Sequence, residues 1–199
     1  MEYDPRKKEL KSSRILSELD EFVIKFTKIL EKYTDYVIVS GYVSIVLGRS
    51  RATEDVDLLI PKMQKEKFVE LFNFLLNNGY ECANTSIPEE AFSMLNEFAI
   101  RFYEEKKPIP NIEFKQIKTD LDKYSFENRI RLRLPSYILF LSPLELQIAY
   151  KLYLSSEKFD KDIEDARHIY KMFKGNINKE ALLLFLRKLN IEEKLRDIE

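Results

Sequence analysis

Residues 37–60 read VIVSGYVSIVLGRSRATEDVDLLI, and this stretch decides the fold. Tyr36 to Val39 make a short apolar run that reads as a buried strand. Ser40 and Gly41 break it, and Tyr42 to Leu47 follow as a short helical run. A strand ending in a small residue and a glycine leaves backbone N–H groups free at the turn, where an anion is welcome. The second half, Asp55 to Ile60, reads as another strand. Residues two apart on a strand share a face, so Asp55 and Asp57 point one way and Val56 and Leu58 the other. Two neighbouring carboxylates repel unless a proton or a cation sits between them. Hard oxygen donors of this kind suit Mg2+. The stretch therefore joins a phosphate-sized turn to a candidate divalent-metal site.

Taken singly, each half has a plainer reading. A lone Asp-x-Asp is more often a solvated strand face or a turn entry, and a lone Ser-Gly is only a turn. Together, in this order and with Arg51 and Thr53 between them, they favour a site.

Outward from this stretch, the chain of 199 residues is long enough for one domain with a proper core, or a core with a small helical appendage. Apolar residues make up 45% and charged residues 34%, the balance of a soluble globular protein rather than a disordered one. Lys and Arg number 33 against 34 Asp and Glu, so any basic surface for nucleic acid must be local. The single cysteine, Cys82, excludes an internal disulfide and suits a reducing cytoplasm. The N-terminus is charged at Arg6, Lys7, Lys8 and Glu9, and no apolar run reaches membrane-spanning length.

Ile15, Leu19, Phe22, Phe26 and Ile29 recur at helical steps and predict an amphipathic helix ahead of the first strand. A second spans 62–78, with Gly79 as its stop. Strands are expected over 80–83, 98–103, 111–117, 130–134 and 137–141. After Leu141 the pattern turns helical, with Ser142-Pro143-Leu144-Glu145 reading as a capping-box start and helices over 144–154, 160–173 and 179–189. The expectation is an α+β fold: a core over 1–141 and a helical C-terminal subdomain over 142–199.

A further acidic candidate lies on another strand. In Asn111-Ile112-Glu113-Phe114-Lys115 the apolar residues would bury one face and leave Glu113 and Lys115 on the other. Asp120 and Asp122 are rivals, placed among Lys and Thr in what reads as a loop. Arg129, Arg131 and Arg133 alternate with Ile130, Leu132 and Leu134, a stripe that suits phosphates or else a charged face on an edge strand. His168, the only histidine, reads as structural, and Tyr42 as either a base-pocket or a core residue.

Ser40-Gly41-Tyr42-Val43, Gly48, Arg51, Thr53, Asp55 and Asp57 resemble, in order, the signature of the nucleotidyltransferase superfamily typified by DNA polymerase beta. The likeness is to its small prokaryotic members, some of them toxin–antitoxin proteins. One departure is that Ser40 stands where the family has the first glycine of a doublet; serine is small enough to keep the turn and adds a hydroxyl. The resemblance implies a mixed β-sheet core with flanking helices. It implies transfer of a nucleoside monophosphate from an NTP to a hydroxyl of RNA (tRNA) or of a partner protein, with two Mg2+ ions held by Asp55, Asp57 and Glu113. In that scheme Ser40 and the Gly41 N–H hold the β- and γ-phosphates, Arg51 neutralises phosphate or braces the loop, and Thr53 bonds a metal-binding carboxylate. Ser142-Pro143-x-Glu145, Lys151 and Lys161-Asp162-x-x-Asp165 also resemble these members, which implies that Lys151 reaches the triphosphate while Asp162 and Asp165 pack or pair. The superfamily includes inactive relatives, so a binding module for nucleotide or protein is the alternative. An aminoglycoside-type transferase is a third reading, expected to show an acidic, open pocket. A cytoplasmic location and a homodimer fit the same picture.

Overall fold

The computed structural model describes residues 1–156 and 160–199. Its strands are β1 (Glu2–Asp4), β2 (Glu9–Lys11), β3 (Val37–Val39), β4 (Asp55–Ile60), β5 (Tyr80–Cys82), β6 (Ile100–Glu104), β7 (Lys107–Gln116), β8 (Ile130–Arg133) and β9 (Ile138–Leu141). The helices are α1 (Glu18–Leu30), α2 (Gly41–Val46), α3 (Lys65–Asn77), α4 (Pro88–Glu97), α5 (Asp120–Glu127), α6 (Leu144–Leu154), α7 (Lys161–Phe173) and α8 (Lys179–Lys188). All the strands belong to one sheet, in the order β1-β2-β8-β9-β3-β4-β7-β6-β5. It is mixed: β2/β8, β3/β9 and β4/β7 run parallel and the other pairs antiparallel.

The period-two pattern of β4 sets the geometry that follows. Val56, Leu58 and Ile60 are fully buried, while Asp55 and Asp57 keep partial access to solvent. The apolar face of the sheet meets α1, whose Phe26 ring contacts Tyr80, Phe102 and Phe114 on three successive strands. Burying one such phenylalanine contributes about 1.5–3 kcal/mol. One continuous apolar cluster runs from Leu10 to Ile198, and α6 packs on both α7 and α8. Among the described residues no helix is long and apolar enough to cross a membrane.

The structure departs from the sequence expectations at several points. The first helix begins after Ser17, which caps it in a reciprocal pair with Asp20, so Ile15 lies outside it and is 94% exposed. The segment holding Asp120 and Asp122 is helix α5 rather than a loop, capped by Thr119 with Asp122 reaching back. Helix α4 and the N-terminal hairpin β1–β2 were not expected, and β8 is an interior strand, not an edge. Helix α6 has no capping box. Pro143 is its N-cap, and Glu145 instead accepts the Asn178 N–H ahead of α8.

Candidate active site

The parallel register of β4 on β7 sets Asp57 directly beside Glu113, and Leu59 beside Lys115. Lys115, two residues on from Glu113, lies on the same face and turns back over both acids. Its Nζ lies 2.5 Å from Asp57 Oδ1 and 2.7 Å from Glu113 Oε2. Arg101, paired with Glu113 across β6 and β7, also binds the Glu113 carboxylate. Asp55 does not join this group; its carboxylate accepts the Thr53 hydroxyl at 3.1 Å. Among the described residues no three acidic, histidine or cysteine side chains come together as a ready-made metal site.

The electrostatics follow from these partners. Burial pushes the Asp57 carboxyl above its ordinary value, against the pull of the Lys115 ammonium. Burial acts the same way on Glu113, but its bonds from Lys115 and Arg101 outweigh it and hold that carboxyl below the ordinary value. Burial disfavours the charge on Lys115, and the two carboxylates overcome it and raise its pKa. An ammonium between two carboxylates shows that the position accepts a cation, and the oxygen donors Asp57 and Glu113 suit Mg2+.

The turn beside these acids is held from a distance. Ser40 has φ 63° and ψ −132°, a conformation that glycine adopts freely and that strains serine. Gln147 of α6 clamps it: its Oε1 accepts the Ser40 N–H at 3.1 Å and its Nε2 donates to the Ser40 carbonyl at 2.6 Å. The Ser40 amide is therefore engaged, and the hydroxyl and the Gly41 N–H are the groups left for an anion. A Cβ on Gly41 would stand 2.9 Å from the Arg51 guanidinium. Arg51 closes over that glycine while gripping Asp165 of α7 through two bonds, 3.0 and 2.7 Å.

Asp165 is fully buried and also pairs with Lys151 at 3.0 Å and Arg49 at 3.5 Å. Lys151 is 2% exposed and bonds Asp162 at 2.6 Å. The expected phosphate ligands Arg51 and Lys151 are thus joined in a buried ion cluster behind the turn. Tyr42 is a core residue whose hydroxyl donates to buried Asp20, and the His168 ring bonds the Leu47 carbonyl.

A cleft of about 630 Å3 opens in front of Ser40, Asp57 and Lys115, with Phe98, Leu146 and Tyr150 among its other walls. Its charged walls are mixed: Glu97 and Asp122 face the same space as Lys118. The arginine stripe stands apart, since β9 and β3 separate β8 from β4 by about 14 Å. Arg133 pairs with Glu9, Arg131 donates to the Lys7 carbonyl, and Arg129 pairs with Asp35 and lies over the Phe126 and Phe140 rings. The sequence gives no sign of the Gln147 clamp, whereas Lys115 was legible as a neighbour of Glu113 on one strand face.

Comparison with solved structures decides the fold. A nucleotidyltransferase-like antigenic protein from Paracoccidioides brasiliensis superposes with a TM-score of 0.55 at 17% identity, over 89% of this chain and 90% of its own. The antibiotic-resistance factor ANT(2'')-Ia superposes with a TM-score of 0.57 at 11% identity, over 89% of this chain and 94% of its own. The chain has a nucleotidyltransferase-like fold. No protein-family model and no curated protein sequence matches it. At these identities the likeness is one of architecture, and the nucleotidyltransferase-like sheet is the frame that carries Asp57 and Glu113.

Proposed function

We propose that this protein is a Mg2+-dependent nucleotidyltransferase that moves a nucleoside monophosphate from an NTP to a hydroxyl of RNA, such as tRNA, or of a partner protein. The observation that supports it is the pairing of Asp57 with Glu113 around the Lys115 ammonium, with Asp57 and Lys115 on the wall of a cleft that Ser40 also lines. Asp57 and Glu113, with Asp55 beside them, would hold two Mg2+ ions. Bound there, such ions would supply the positive charge that an in-line displacement at phosphorus needs and would ease deprotonation of the acceptor hydroxyl.

The chain's own residues do the rest. In the Ser40–Gly41 turn the Gly41 N–H takes the β- and γ-phosphates, with the Ser40 hydroxyl a dispensable second donor. Thr53 fixes the rotamer of Asp55. Arg51 braces the turn through Asp165. Lys151 would have to leave Asp162 and Asp165 to touch a phosphate, so its part is in the same brace. In a cell this activity suits either arm of a toxin–antitoxin pair, as a toxin modifying tRNA or an antitoxin modifying its toxin.

The test is incubation with α-labelled NTPs, Mg2+, total tRNA and the products of neighbouring genes. Asp57→Asn is expected to abolish label transfer while the fold survives, because Lys115 keeps Glu113 as a partner. Near-wild-type transfer by that variant would sink the assignment. A second reading, a binding module without transfer, is favoured by the counter-ions Lys115 and Arg101 already supplied by the chain. It predicts NTP or partner binding with no label moved to any acceptor.

A further inference from the structure

Lys115 presents a conflict that the proposed chemistry has to resolve. Its ammonium fills the space between Asp57 and Glu113, and those are the two carboxylates that would bind a divalent ion. Two cations cannot share that space. At a few ångströms they repel, and each carboxylate oxygen given to one is lost to the other. We propose that Lys115 is a resident counter-ion of Asp57 and Glu113, which a divalent ion must displace and which keeps the nucleotide-free protein from loading metal. This inference rests on the nucleotidyl-transfer reading of the site.

Three features of the site support displacement. The Lys115 side chain is 34% exposed, whereas those of Asp57 and Glu113 are 15% and 12% exposed, so the cation is the mobile partner. Lys115 also lines the adjacent cleft of about 630 Å3, which gives the ammonium hydrated space to enter. A four-carbon stem with freely rotating bonds makes that excursion cheap. Arg101 is different, because it approaches Glu113 from the neighbouring strand and need not move. Displacement becomes favourable when the NTP arrives, since a triphosphate supplies further negative charge and oxygen donors that a divalent ion uses fully and an ammonium only in part.

The proposal is tested with Mn2+ alone as the probe, read by electron paramagnetic resonance, on wild type, Lys115→Met and Lys115→Arg. Methionine keeps the unbranched stem up to the ε position and removes the charge. Lys115→Met is expected to bind Mn2+ at least tenfold more tightly than wild type without nucleotide, and Lys115→Arg to remain near wild type. A second readout is thermal. With the counter-ion gone, Asp57 and Glu113 repel, so Lys115→Met should melt below wild type and recover on adding Mg2+, while wild-type melting stays insensitive to Mg2+ without nucleotide. Adding Glu113→Gln to Lys115→Met should remove both gains. If Lys115→Met binds Mn2+ no better than wild type, while wild type binds it in the presence of ATP, the counter-ion role is wrong and the transfer reading stands. If neither protein binds Mn2+ with or without ATP, both are wrong.

Discussion

Ser40 carries a cost that its neighbours offset. At φ 63° and ψ −132° its Cβ crowds the backbone, a strain of about 1–3 kcal/mol for a residue other than glycine. Replacing it by glycine removes that strain and returns part of the gain as added freedom of the unfolded chain, about 0.5–1 kcal/mol. Ser40→Gly is therefore expected to stabilise the protein by about 1 kcal/mol, which raises Tm by about 2–4 °C for a chain of this size. Transfer activity should stay equal or rise, and a large loss would show that the hydroxyl has a role of its own. Gly41 behaves in the opposite sense. A side chain there meets the Arg51 guanidinium at 2.9 Å from its first carbon, so Gly41→Val should break the Arg51–Asp165 grip and abolish NTP binding. NTP titration of a variant shown to be folded by circular dichroism checks it. Retained affinity would remove the turn from the phosphate site.

At the scale of elements, what could be read in advance was whatever one local period fixes. The alternation in β4 placed Asp55 and Asp57 on one face, and the same alternation placed Glu113 with Lys115 on β7. That Asp57 and Glu113 stand side by side depends on which strands pair and in what register, and no local period carries that information. The hairpin β1–β2 was illegible because only Leu10 among its residues is a fully buried apolar side chain, and its pairing with β8 is what makes it a strand. Helix α5 did leave a signal, the Thr119–Asp122 capping pair, which its charged composition obscured. The Gln147 clamp is a tertiary bond between α6 and the end of β3, 107 residues apart. Gln147→Ala should cost about 1–2 kcal/mol, because both backbone groups of Ser40 lose their partner in a part-buried setting. It should also weaken NTP binding, measured by denaturant melts alongside titration; unchanged stability would mean that water replaces the clamp freely. On β8, replacing Arg131 and Arg133 by Ala is expected to leave the salt dependence of tRNA affinity unchanged, since both already bind their own chain. A flatter salt slope in the double variant would restore the stripe as an RNA surface.

Across the whole molecule, the helices after β9 are tied to the loop ahead of β4 by the buried cluster around Asp165. Arg49 and Arg51 reach it from that loop, Lys151 from α6, and Asp162 and Glu164 of α7 share the same cations. Burial alone would raise the Asp165 pKa, but its bonds from Arg51 and Lys151 outweigh burial and hold it below the ordinary value of 3.8. An acid whose pKa is lower in the folded than in the unfolded state binds fewer protons when folded, so stability rises with pH through that window. The contribution is fully present above the ordinary value and is lost as pH falls below about 4 toward the folded value. Asp165→Asn removes the charge, leaves Arg51 without its counter-ion and leaves Lys151 with Asp162 alone, which should cost about 3 kcal/mol at pH 7, the lower end for a broken buried pair. The expected result is a pair of melting curves that converge. Wild type is much the more stable at pH 7, loses that lead as pH falls below about 4, and meets the variant where Asp165 is protonated in both states. Parallel curves over that range would show that the cluster does not link the C-terminal helices to the site through the charge of Asp165.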